Sequence, residues 1–136
     1  MKPPCVLIVD DDTDSREVIA LSLEVIAGWR VLLAEGGARA VECATQDRPD
    51  AILLDVMMPG LDGPATLQRL KAAHSTSQIP VIFLTVTSRS ADRRALSDLP
   101  AEAVLLKPFD PFLLARNVAE ILGWRQERWG WMGGAL

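Results

Sequence analysis

A chain of 136 residues is the size of one ordinary domain, long enough to bury a real core. Its 49% hydrophobic and 24% charged residues suit a soluble globular protein, and no apolar run approaches the ~20 residues that span a bilayer. A net charge of −4 and a pI near 4.9 argue against nucleic-acid binding through a basic face.

The start, Met1-Lys2-Pro3-Pro4, lacks the apolar core of a signal peptide, so the expected location is cytoplasmic, with no membrane partner. Cys5 and Cys43 form no CxxC pattern and read as reduced, structural residues. The first apolar run, Val6 to Val9, ends in Asp10-Asp11-Asp12. Asp14-Ser15-Arg16-Glu17 then has the acid-x-x-Glu shape of a helix capping box. Ile19, Leu23 and Ile26 fall on one helical face, and Gly28 sits where a C-terminal cap belongs. Trp29 to Ala34 reads as a second strand, and Gly36-Gly37 opens a second helix, Ala38 to about Thr45.

A third strand, Ala51 to Asp55, is a buried-type apolar run closed by a carboxylate and by the turn signals Pro59-Gly60 and Asp62-Gly63. Pro64 suits the first turn of a third helix, running to about Ala73. Val81 to Leu84, ending at Thr85, is a fourth strand, and the polar segment Ser88 to Asp98 a short helix. Ala103 to Leu106, closed by Lys107-Pro108, is a fifth strand. Phe112, Ala115, Ala119 and Leu122 mark the buried side of a last helix. Five βα units in a row predict a doubly wound parallel α/β sheet.

In such a sheet all carboxyl ends share one rim, so Asp10, Asp11, Asp55, Thr85 and Lys107 can converge on a single crevice. Crowded carboxylates repel unless a cation sits among them, and a hard divalent ion, Mg²⁺ foremost, relieves that repulsion. Acidic groups with a hydroxyl and an ammonium nearby suit phosphoryl transfer to a carboxylate. Metal and lysine would offset charge on the phosphoryl oxygens, and an aspartate can itself be the nucleophile. The single residue His74 lies near a helix end and reads as an ordinary surface side chain.

These residues resemble the receiver domains of two-component response regulators, chemotaxis-type receivers included. The resemblance runs from about Cys5 to Leu122. It rests on Val9-Asp10-Asp11, on the stretch Leu54 to Gly63, on Leu84-Thr85, and on Leu106-Lys107-Pro108-Phe109. It implies a flavodoxin-like sheet of order 2-1-3-4-5 flanked by five helices. It makes Asp55 the phosphoacceptor, with Asp10, Asp11, Asp55 and the Met57 carbonyl holding Mg²⁺. Thr85 and Lys107 would bind the phosphoryl group, the Lys107-Pro108 bond would be cis, and Asp12 would be a helix-end carboxylate rather than a third ligand. Met58 would be core filler. The donor would be a histidine kinase or histidine phosphotransfer protein, and the role a switch that catalyses its own phosphorylation and dephosphorylation, with an unknown downstream protein.

Three positions depart from the family pattern. Val104 stands where many receivers carry an aromatic residue. Val86 follows the threonine where a small residue is usual, and is expected to narrow access to the acyl phosphate. Leu99-Pro100-Ala101-Glu102 replaces a glycine-containing turn. Residues 123–136 read as a tryptophan-rich tail (Trp124, Trp129, Trp131) with no output domain, so the chain reads as a stand-alone receiver or one excised from a longer protein. The tail either covers exposed core or forms an aromatic docking surface. A homodimer would use that surface or the face of the fourth helix, fifth strand and fifth helix, near Arg89, Arg93 and Arg94. Two other readings fail on spacing. A haloacid-dehalogenase-like site wants Thr or Val where Asp14 stands, and a calcium loop wants Gly and Glu where Ser15 and Leu21 stand. The remaining rival is a receiver-like interaction module that is never phosphorylated.

Overall fold

Runs of branched apolar residues form the strands, and each is buried on both faces where the sheet is central. The structure, a computed structural model, describes residues 2–86 and 90–124. The strands are β1 (Cys5–Val9), β2 (Arg30–Ala34), β3 (Ala51–Asp55), β4 (Val81–Thr85) and β5 (Ala103–Leu106). They form one parallel sheet in the order β2-β1-β3-β4-β5, as the resemblance implied. Every residue of β1, β3 and β4 is buried, whereas the edge strands β2 and β5 are partly exposed, as expected of a sheet covered by helices on both sides.

The helices are α1 (Thr13–Leu21), α2 (Gly37–Asp47), α3 (Gly63–Ala72), α4 (Ser90–Ser97) and α5 (Leu114–Leu122). One core layer joins Ile8, Leu53 and Leu84 to α1 and to Leu114, Ala115, Val118 and Ala119 of α5. The other joins Leu7, Leu54 and Phe83 to Ala40 of α2 and to Leu67 and Leu70 of α3. Met58 is buried in this second layer, and Val104 packs against it. Among the described residues no helix is long and apolar enough to cross a membrane.

Two local expectations change. Helix α1 is capped by Asp12, not through a box opening at Asp14: Asp12 has extended dihedrals and its carboxylate accepts from the Ser15 N–H at 2.9 Å. Two neighbouring carboxylates offered themselves as cap, and the one nearer the strand end takes the role. Asp14 lies instead in the first turn, where its charge suits the helix dipole. Phe112 is 65% exposed and precedes α5, whose buried face is Leu114, Ala115, Val118 and Ala119. Beyond Leu21 the helix widens into a π-helical segment, Ser22–Ile26, whose Ser22 hydroxyl donates to the Pro111 carbonyl. Gly28 follows with φ 74° and closes the element.

Trp124 covers core: it meets Trp29 edge-on at 5.3 Å between ring centroids. Arg89, Trp129 and Trp131 lie outside the described residues. Cys5 and Cys43 are free and buried, and burial raises both thiols above their ordinary value, which suits packing rather than reactivity. His74 is exposed.

Candidate functional site

Parallel pairing sets β1, β3 and β4 side by side, so their carboxyl ends open on one rim, as in other open α/β sheets. Asp10 directly follows β1, Asp55 ends β3, Thr85 ends β4, and Lys107 follows β5. The sheet register links the last two, with the Lys107 N–H donating to the Thr85 carbonyl at 2.8 Å. One carboxylate oxygen each from Asp10, Asp11 and Asp55 lies within 4.8 Å of the others. Asp10, Asp11, Asp55 and Lys107 are therefore together, with Thr85 at the end of the adjoining strand.

Asp10 is the most enclosed, 1% exposed. Its Oδ1 accepts from the Asp12 N–H at 3.0 Å, and its Oδ2 accepts from the Ser15 hydroxyl and the Lys107 ammonium, each at 2.7 Å. The Lys107 ammonium also stands 3.5 Å from Asp55 Oδ1. Arg16 holds the Asp10 backbone, its guanidinium donating to the Asp10 carbonyl at 2.7 Å. Asp11 is exposed at the mouth, Asp55 is 7% exposed, and Thr85 is buried.

The loop after Asp55 is shaped for close approach. Gly63 N–H donates to the Val56 carbonyl at 3.0 Å, and a Cβ on Gly63 would come within 2.7 Å of the Asp55 carbonyl oxygen and 2.8 Å of Val56 Cα. Gly60 turns the loop at φ 75°. Asp62 then caps α3 by accepting from Ala65 N–H at 2.9 Å. The loop leaves the Met57 side chain 71% exposed. Val86 is exposed to the same degree on the facing loop. Met57, Val86, Pro64 and Leu96 line a recess of about 500 Å³ beside Thr85.

Burial raises the Asp55 carboxyl above its ordinary value; the Lys107 charge opposes this, and the nearby Asp10 and Asp11 charges add to it. A cation among the three carboxylates would relieve that strain, and three oxygen ligands suit a hard divalent ion. Because the folded pKa is the higher one, folding favours protonated Asp55, and its ionisation lowers stability as pH rises through the raised value. Asp55→Asn removes that loss. At neutral pH in EDTA the variant is expected to melt a few degrees above the parent, with the gap closing as pH falls through the carboxylate range or as Mg²⁺ is added. Melting curves across pH check this.

Sequence reasoning missed Ser15 and Arg16. Both read as ordinary first-turn residues, because only the fold reveals that the start of α1 faces Asp10 and Lys107.

A five-stranded parallel sheet of order 2-1-3-4-5 with an acidic cluster and a lysine at its carboxyl rim points to the receiver class. The response regulator receiver domain family matches residues 6–119, and the chain belongs to that family. The regulator RpaA of Synechocystis, described as a DNA-binding dual master transcriptional regulator, is 38% identical over 119 residues, 88% of this chain and 49% of RpaA. The chain spans about half the length of the curated relatives it matches. A response regulator structure from Chloroflexus aurantiacus superposes with a TM-score of 0.82 at 34% identity, covering 90% of this chain and 99% of that one. The receiver domain of the Pseudomonas aeruginosa sensor kinase PA1611, solved with a magnesium ion in its active-site cleft, gives a TM-score of 0.80 at 31% identity over 89% of this chain and 98% of that one.

Proposed function

We propose that this receiver is a phosphorylation switch, taking a phosphoryl group from a phosphohistidine of a histidine kinase or phosphotransfer protein onto Asp55. The observation that carries the reading is the convergence of Asp10, Asp11 and Asp55 within 4.8 Å, with the Lys107 ammonium 3.5 Å from Asp55 Oδ1. An Asp55 carboxylate oxygen attacks phosphorus, the P–N bond to the donor imidazole breaks, and an aspartyl phosphate forms. Lys107 neutralises charge on the phosphoryl oxygens, and the Thr85 hydroxyl donates a hydrogen bond to one of them. Asp10, Asp11, Asp55 and the Met57 carbonyl would hold Mg²⁺, which offsets phosphoryl charge. The magnesium bound by the related PA1611 receiver supports this assignment.

The same residues return the phosphoryl group to water, so the domain catalyses both halves of its own cycle. Charge added at Asp55 biases an equilibrium between two surface conformations and so changes the affinity for a downstream protein. Residues 5–122 form the acting unit, residues 123–136 its tail, and the setting is cytoplasmic. The α4-β5-α5 face carries the exposed Arg93 and Arg94 and is a candidate surface for self-association.

Incubation with phosphoramidate and Mg²⁺, followed by intact-mass measurement, tests the reading. One added phosphoryl group, lost in Asp55→Ala and in EDTA, is the expected result. If neither phosphoramidate nor a histidine-phosphorylated donor adds the group, the switch is refuted and the chain is an interaction module.

A further inference from the structure

Lys107 follows a short strand and carries its charge on a flexible four-carbon stem, yet its side chain is only 14% exposed and its ammonium has three anchoring oxygens nearby. Asp10 Oδ2 lies at 2.7 Å, Ser15 Oγ at 3.2 Å and Asp55 Oδ1 at 3.5 Å. Ser15 Oγ is itself 2.7 Å from Asp10 Oδ2. A lysine ammonium has no acceptor and an ionised carboxylate has no donor, so one proton pattern fits. The serine hydroxyl donates to Asp10 and accepts from Lys107.

From this triangle we infer that Ser15 is a positioning residue that holds the Lys107 ammonium at the α1 side of the crevice, an inference that rests on the phosphoacceptor reading above. Asp10 would also be a ligand of a cation held among the three carboxylates, so its oxygens would be shared between that cation and the lysine. Ser15 is uncharged and stays. Its backbone is fixed independently: its N–H caps onto Asp12 Oδ2 at 2.9 Å, and the neighbouring Arg16 clamps the Asp10 carbonyl. The lysine thus keeps one fixed acceptor while its carboxylate partner Asp10 is shared. The entropy of its stem is restrained before the phosphoryl group arrives.

Ser15→Ala retains the backbone capping bond and has the better helix propensity, so the fold survives the test. The first readout needs no phosphorylation: hydrogen exchange of the Lys107 ζ-ammonium, followed by NMR in metal-free protein and assigned by its loss in Lys107→Ala. Exchange is expected to quicken roughly tenfold in Ser15→Ala, the worth of one charge-assisted hydrogen bond, and to return to the parent rate in Ser15→Thr. The second readout is phosphoryl incorporation from phosphoramidate at saturating Mg²⁺. It is expected to slow in Ser15→Ala, recover in Ser15→Thr, and show no further loss from Ser15→Ala in a Lys107→Ala background. Unchanged ammonium exchange in Ser15→Ala, or an equal loss with and without Lys107, would overturn the inference. A parent protein that takes no phosphoryl group while the exchange contrast persists would refute the phosphoacceptor reading and support the anchoring.

Discussion

Phe83→Ala is expected to destabilise the domain by ~3–5 kcal/mol, the usual cost of emptying a fully buried phenylalanine site. Phe83 is fully buried in the middle of β4, among Leu7, Leu54, Leu67 and Leu70 of the second core layer. It also supports the site. A Cβ built on Gly63 would lie 3.3 Å from Phe83 Cε1, so the ring forms the floor on which the loop after Asp55 rests. The cavity would sit between α3 and the central sheet, whose neighbouring strands cannot collapse without breaking their ladders. A fall of about 10 °C or more in melting temperature is therefore expected, together with weaker Mg²⁺ binding as the loop loosens. Thermal denaturation with and without Mg²⁺ measures both.

Asp10→Asn has the largest expected functional effect. The substitution keeps size and one acceptor oxygen but removes the charge that holds the Lys107 ammonium at 2.7 Å and that completes the three-carboxylate set. Both Asp10 oxygens accept, Oδ1 from the Asp12 N–H and Oδ2 from the serine hydroxyl and the lysine, so the amide NH2 must face donors at one of the two positions. Lys107 keeps its Ser15 acceptor, and Asp55, 3.5 Å away, becomes its carboxylate partner in place of Asp10. Mg²⁺-dependent phosphoryl incorporation is expected to drop at least about 100-fold, the scale seen when one charge-stabilising group is lost from a preorganised site. Stabilisation by Mg²⁺, which should reach ~2.7 kcal/mol for the parent at a concentration 100 times Kd, is expected to vanish. Mass measurement of incorporation and Mg²⁺-dependent melting test the two halves separately.

The strands were legible because burial on both faces leaves an unmixed apolar run bounded by polar groups. Ala51–Asp55 and Ala103–Leu106 could be delimited from the residues alone. The site was legible for a related reason: a parallel sheet converts residues that end successive strands into neighbours, so Asp10, Asp55, Thr85 and Lys107 needed only the topology to meet. Helix starts were less legible. Asp12 and Asp14 are both competent caps, and the choice depends on where β1 releases the chain, which no local pattern records. Phe112 fits the apolar spacing of α5, but Asp110 holds the turn before it, accepting from Phe112 N–H at 2.9 Å, and the ring stays outside. The π-helical widening at Ser22 and the Ser15 link to Lys107 depend on contacts from residues about 90 positions away.

The central claim is that Asp55 carries the phosphoryl group as an acyl phosphate. Borohydride reduction of the phosphoramidate-treated protein, followed by peptide mass mapping, tests it most directly, since an acyl phosphate is reduced to homoserine while free aspartate is untouched. Homoserine at position 55, dependent on Mg²⁺ and absent from untreated protein, is the predicted result. Homoserine at position 10 or 11 instead, or a phosphoryl group retained on a residue that borohydride does not reduce, would contradict it.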